Sequence, residues 1–154
     1  MKAKELLDFG KSQFAGKDIS PVDAELILAH FLGINRMELH AKEIEISDDL
    51  VIDSFKHAVS ERLEGKPTQY LTGIAPFRYL EYEVGPGVLI PRPETEIMVD
   101  EVLHQLSKFA EPVSIVDLGS GAGGIAISIA TETFGKKNVN VVAVEKSKDA
   151  LKWL

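Results

Sequence analysis

Apolar residues recur at helical spacing in the first part of the chain and alternate, or run together, in the second. The change falls near residue 66. From Lys4 to Phe14, the apolar residues Leu6, Leu7 and Phe14 sit among charges, which predicts a short amphipathic helix. Ser20-Pro21-Val22-Asp23 is a helix start. Serine caps free N–H groups, proline suits the first turn, and an acid faces the positive end. That helix runs to Leu32 with Ala24, Ile27, Leu28, Phe31 and Leu32 on one face, and Gly33 ends it. Asn35 caps a short helix through Leu39. Ser47 caps a longer one with the stripe Val51, Ile52, Phe55, Val59 and Leu63, which ends at Gly65. Together these predict a small helical bundle without chemistry of its own.

Beyond Lys66 the pattern becomes that of strands and special turns. Phe77 to Val84 alternates and predicts one half-buried strand carrying Phe77, Tyr79, Tyr82 and Val84 inward, with Arg78, Glu81 and Glu83 solvated. Gly85-Pro86-Gly87 is a turn, Val88-Leu89-Ile90 a short strand, and Pro91-Arg92-Pro93-Glu94-Thr95-Glu96 a rigid loop opening a helix to about Lys108. Proline restricts its predecessor, so Arg92 is expected to be extended. A strand (Val113 to Leu118), a glycine loop, a helix (Ile125 to Phe134) and a strand (Val139 to Glu145) follow, and Ser147 caps a last helix. That order implies parallel pairing.

Composition narrows the chemistry. The 154 residues carry 17 basic and 24 acidic side chains, a net charge of −7, and no cysteine. Disulfides, thiolate catalysis and cysteine-ligated zinc are thereby excluded. Neither half hides a basic domain to meet nucleic acid directly, with net charges of −4 up to and including Lys66 and −3 after it. No apolar run approaches the ~20 residues of a membrane-spanning helix. The charged start is unlike a signal peptide, so a cytoplasmic protein without membrane contact is expected. His30, His40, His57 and His104 lack metal-ligand spacing, and no metal is expected. Trp153 is read as core, or as an interface left open.

The chemical centre is Asp117-Leu118-Gly119-Ser120-Gly121-Ala122-Gly123-Gly124. It follows a buried-type strand and opens a helix, where glycines let backbone N–H groups approach a ligand. Gly119-x-Gly121-x-x-Gly124 also fits a dinucleotide fingerprint, and Glu145, 21 residues beyond Gly124, is placed to accept from ribose hydroxyls. The bland alternative is a turn that merely packs helix on strand. Asp117 separates the ligand classes. A carboxylate beside a pyrophosphate costs Coulomb energy, whereas it suits a ligand carrying positive charge, such as S-adenosylmethionine.

Asp117-Leu118-Gly119-x-Gly121-x-Gly123 with the later Glu145 resembles motif I and its successor in class I methyltransferases. Pro67-Thr68-Gln69-Tyr70-Leu71-Thr72-Gly73, Gly87 to Glu96, Asp23-Ala24-Glu25-Leu26 and Leu32-Gly33 narrow the likeness. With these, the chain resembles the release factor glutamine methyltransferases over nearly its whole length. The resemblance implies an α + α/β protein: an N-terminal helical bundle that docks substrate (1–66), a linker with a β-hairpin (67–93), and the start of a Rossmann-like, S-adenosylmethionine-binding methyltransferase sheet (94–154). It further implies cofactor contacts from Asp117, Gly119, Ser120, Gly121, Ala122, Gly123 and Glu145, with Arg92, Glu94 and Thr95 on the cleft wall. For Arg92 and Glu94, local stabilisation of the loop is an equal alternative.

The implied reaction is methylation of the glutamine side-chain amide in the Gly-Gly-Gln motif of peptide-chain release factors. The family grips that amide with an Asn-Pro-Pro-Tyr motif, which this sequence does not contain, so no catalytic residue is assigned. Because the amide nitrogen is a weak nucleophile, orienting it is the enzyme's main contribution. About seven strands are implied for the sheet, and this chain supplies two. The expectation is therefore an inactive N-terminal piece of a longer enzyme, able to self-associate through an exposed sheet edge. Alternatives are a related methyltransferase of another protein amide or a nucleobase, and a stand-alone binding or adaptor module.

Overall fold

The computed structural model describes residues 1–154, which fall into two compact units, Met1–Thr72 and Gly73–Leu154. The first unit is helical: α1 (Ala3–Phe14), α2 (Pro21–Leu32), α3 (Arg36–Ala41), α4 (Asp49–Leu63) and α5 (Thr68–Thr72). The signals around α2 act as read. Ser20 Oγ accepts from the Val22 N–H at 3.2 Å, and Gly33 closes the helix at φ +63°. Asn35 caps α3 reciprocally with Glu38. The cap of α4 is Asp48, not Ser47, its carboxylate accepting from the Leu50 N–H at 2.9 Å. An aspartate serves as well there, and the charge suits the helix end. Leu6, Leu7, Phe14, Ile27, Leu28, Phe55 and Val59 form one buried cluster. A Cβ added at Gly10 would lie 2.6 Å from Phe55 Cζ, so α1 meets that ring closely because it carries no side chain there.

The second unit is mixed α/β, with two small sheets and two helices. Antiparallel strands β1 (Ile74–Phe77) and β2 (Leu80–Glu83) pair with Phe77 opposite Leu80. A 3₁₀ turn at Pro93–Thr95 leads into α6 (Glu96–Leu106). Parallel strands β3 (Val113–Leu118) and β4 (Val139–Val144) flank α7 (Gly124–Thr133). A short 3₁₀ turn, Ala150–Lys152, stands where a helix was expected after Ser147, whose Oγ accepts from the Ala150 N–H at 3.3 Å.

Four expectations are corrected here. The single strand from Phe77 to Val84 is a hairpin with a two-residue loop, Arg78-Tyr79. Arg78 holds φ +54°, which a turn normally assigns to glycine or asparagine, so the sequence carries no turn signal there. Reversal resets the alternation: Phe77, Tyr82 and Val84 are buried, while Tyr79 is 82% exposed. Arg78 is the reverse of solvated, its side chain 8% exposed. Finally, Val88-Leu89-Ile90 forms no strand. The Val88 N–H is taken up by the turn, donating to the Gly85 carbonyl at 3.3 Å, and Pro91 has no N–H to give a ladder.

The β3–β4 pair has unequal faces. Val116 lies opposite Val142 and Leu118 opposite Val144, and all four side chains are exposed. The alternate residues, including Asp117, are partly covered. No helix is long and apolar enough to cross a membrane.

Candidate functional site

The glycine loop is shaped by its backbone. Gly119, Gly121 and Gly123 have φ of +80°, +57° and +82°, which side-chain-bearing residues rarely adopt. Several of its N–H groups turn toward protein acceptors. Those of Gly119 and Ser120 donate to the Val144 carbonyl at 2.7 and 3.1 Å, and that of Gly123 to the Ser120 carbonyl at 2.8 Å. The Gly121 N–H donates to Glu145 Oε2 at 2.9 Å. Glu145 Oε1 accepts from the Ser147 N–H at 2.7 Å. These N–H groups, Ser147 and Gly121 above all, hold the Glu145 carboxyl below its ordinary range.

Asp117 has the opposite environment. Its Oδ2 is buried without a partner, as is Ser120 Oγ. Burial pushes its carboxyl up, the Ala126 N–H pulls it part of the way back, and the negative Glu145 adds to the rise. No cation pairs with it. Such an arrangement is costly unless a positively charged group approaches.

A cavity of about 130 Å³ opens in front of the loop. Arg92 and Thr95 line it together with Gly119, Ser120, Gly121 and Ala122, and Phe77, Leu89 and Pro91 add apolar wall. Glu94, Asp117, Gly123 and Glu145 are not on that wall. Arg92 is extended, at φ −99° and ψ 138°, as the flanking prolines imply. The loop itself is pinned by the Thr95 N–H donating to the Arg92 carbonyl at 2.9 Å, a backbone bond in which neither the Arg92 nor the Glu94 side chain takes part.

Residues that sequence reasoning passed over position this loop. The Tyr82 hydroxyl lies 2.9 Å from Ser128 Oγ and donates to the Gly124 carbonyl at 3.3 Å, tying β2 to the first turns of α7. Burial raises the Tyr82 hydroxyl's pKa, with the Ser128 contact acting against it. Further along α7, Arg78 grips Glu132 with Nε and Nη2, the latter at 2.9 Å, and reaches Asp100 on α6 at 2.7 Å. Its backbone N–H donates to Glu96 Oε1 at 2.9 Å. The hydrogen bonds and ion pair to Glu132, ahead of opposing burial, raise its pKa further. The one legible clue was the i,i+4 spacing of Ser128 and Glu132, which sets both on one side of α7.

In the helical unit the singular feature is Glu25, 7% exposed. Its oxygens meet Lys11 Nζ and Arg36 Nε at 2.6 Å each, and His40 Nε2 at 3.2 Å. Burial pushes its carboxyl up, but the bonds from Lys11, Arg36 and His40 outweigh it and hold the value at about 2. A second ion pair, Arg62 Nε to Asp23 at 2.8 Å, joins α4 to the start of α2.

Comparison with known proteins agrees with this division. Residues 5–73 match the PrmC N-terminal domain. A release factor glutamine methyltransferase of Bifidobacterium longum is 37% identical over 162 residues, covering 99% of this chain and 53% of the relative. The Streptomyces coelicolor protein of the same name is 41% identical over 141 residues, covering 90% and 47%. That of Escherichia coli is 33% identical, covering 91% and 49%. The chain thus spans about half the length of the relatives it matches.

Proposed function

We propose, from its homology to the N-terminal portion of the release factor glutamine methyltransferases, that this chain forms the cofactor side of an S-adenosylmethionine-dependent methyltransferase. Residues 1–66 would dock the release factor, 67–93 would link, and 94–154 would begin the methyltransferase domain. In this reading β3, α7 and β4 are the start of a Rossmann-like sheet.

The observation that carries the reading is Asp117 Oδ2, buried without a partner beside a glycine loop whose Ser120 Oγ is also unpartnered. A ligand with sulfonium and ammonium charges supplies what that carboxylate lacks, and a pyrophosphate does not. Gly119 to Gly123 would lie against the methionine and ribose end, Asp117 would balance the positive charge, and Glu145 would accept from ribose hydroxyls. Arg92 and Thr95, which line the cavity, would belong to the cleft wall, and Glu94, which does not line it, would stand behind them. When bound, S-adenosylmethionine supplies a methyl group already activated on sulfur, so these residues need not act as acid or base. Their part is to hold and orient.

The acceptor would be the release-factor glutamine amide. No residue of this chain is assigned to gripping it, because the Asn-Pro-Pro-Tyr element is not in the sequence. Methyl transfer by this chain alone is therefore not expected. Calorimetric titration of the whole chain with S-adenosylmethionine tests the cofactor reading. Saturable binding that disappears in Gly121→Val supports it, and heats that show no saturation overturn it.

A further inference from the structure

We infer that the helical unit carries a recognition site of its own, a cavity that takes a neutral amide group of the protein partner this unit would dock. The inference rests on that docking reading and adds to it a place and a chemistry. The cavity measures about 360 Å³. Asp23 and Leu26 of α2, Arg62 of α4, and Pro67, Thr68 and Gln69 at the entry to α5 line it. None of these residues has a part in the cofactor reading. Thr68 is 6% exposed, and its Oγ1 is buried without a partner. A hydroxyl left so costs more than a change of χ1 rotamer, so it turns to a group that offers it a hydrogen bond.

The charges of the site cancel. Arg62 Nε donates to Asp23 Oδ2 at 2.8 Å, and Nη1 to the Lys66 carbonyl at 3.5 Å. The other guanidinium N–H groups and Asp23 Oδ1 keep their capacity. An anion would gain from Arg62 and lose to Asp23, a cation the reverse, and either would give up its water. An amide meets both groups at once: its oxygen accepts from the guanidinium, and its N–H donates to the carboxylate. The Gln69 side chain, itself a donor and an acceptor, and the Thr68 hydroxyl complete the set. Leu26 and Pro67 give apolar wall for the stem of the ligand. Such an amide is the side-chain carboxamide of a glutamine or asparagine, or a backbone peptide group.

The test follows the backbone amides of Gly65, Thr68 and Gln69 by NMR in the whole chain. Three probes are titrated: propionamide, which is the glutamine side chain cut at Cβ; N-methylacetamide, which is one peptide group; and propionate, an anion shaped like propionamide. At least one of the two amides should give shifts that saturate below about 0.1 M, and which one does so names the source. Propionate should give none. In T68V, which keeps the shape and loses the hydroxyl, the affinity for that amide should fall about fivefold, whereas T68S should stay near wild type. T68V should melt no lower than wild type, because the lost hydroxyl bonds to nothing in the chain. No saturation by either amide, equal saturation by propionate, or a T68V that melts lower overturns the inference. A release factor is then titrated onto the same chains, and weaker binding by T68V supports the cavity as its seat. Equal binding by T68V and wild type overturns the inference and leaves the docking reading. Amide saturation in a chain that binds no release factor keeps the cavity and removes the docking reading.

Discussion

Glu25 in the helical unit and Asp117 at the end of β3 are both carboxylates drawn out of water, and their ionisation moves in opposite directions. Glu25 is ringed by Lys11, Arg36 and His40, and its carboxyl falls to about 2. Asp117 has a backbone N–H and a like-charged neighbour, and its carboxyl rises. Burial acts the same way on both, so the difference is the cations. Where they close the ring, the charge locks helices together. Where no cation closes the ring, burial and the neighbouring Glu145 work against the charge.

The mixed unit has a closed ring of its own at Arg78, and the comparison breaks hardest there. Arg78→Ala leaves Glu132 largely buried without its partner and frees the hairpin from α6 and α7. A loss of about 3–5 kcal/mol is expected, measured by urea unfolding. Losing much less would mean that the ring is decoration. Glu25→Ala leaves Lys11, Arg36 and His40 free to turn to solvent, so a smaller loss of about 1.5–3 kcal/mol is expected by the same measurement.

Acid sharpens the contrast. The folded value for Glu25 lies below its ordinary 4.5, so its contribution is present above that pH and fades as pH falls toward about 2. Melting curves of wild type and Glu25→Gln should therefore converge across that window. A constant gap would show that the ring's electrostatics do not set stability. For Asp117 the sign reverses, since a raised carboxyl works against the fold when ionised. Asp117→Asn should leave stability within about 0.5 kcal/mol of wild type or increase it, while weakening S-adenosylmethionine binding. A clear loss of stability would instead make Asp117 a structural residue.

What the sequence disclosed follows from range. Ser20-Pro21 and Gly33 bound α2 through contacts within a few residues, and β3, α7 and β4 announce themselves by apolar runs around glycines. The glycine loop was legible as a motif. Arg78 was not, because its partners lie between 18 and 54 residues away and its positive φ has no mark in its identity. The strut from Glu145 to Gly121 escaped for a similar reason. Its acid was read as a ligand contact, and nothing local says that it also serves the protein's own backbone.

Trp153 is the chain's sole tryptophan. Its indole lies where a side chain at Gly85 would be, the absent Cβ only 2.3 Å from Cζ2, and its Nε1 is buried without a partner. The segment after β4 is thereby pressed onto the turn that follows the hairpin. One fluorophore thus reports on one seam: its emission wavelength and quenching follow the docking of those two stretches, and Gly85→Ala, by wedging them apart, would shift the signal to the red.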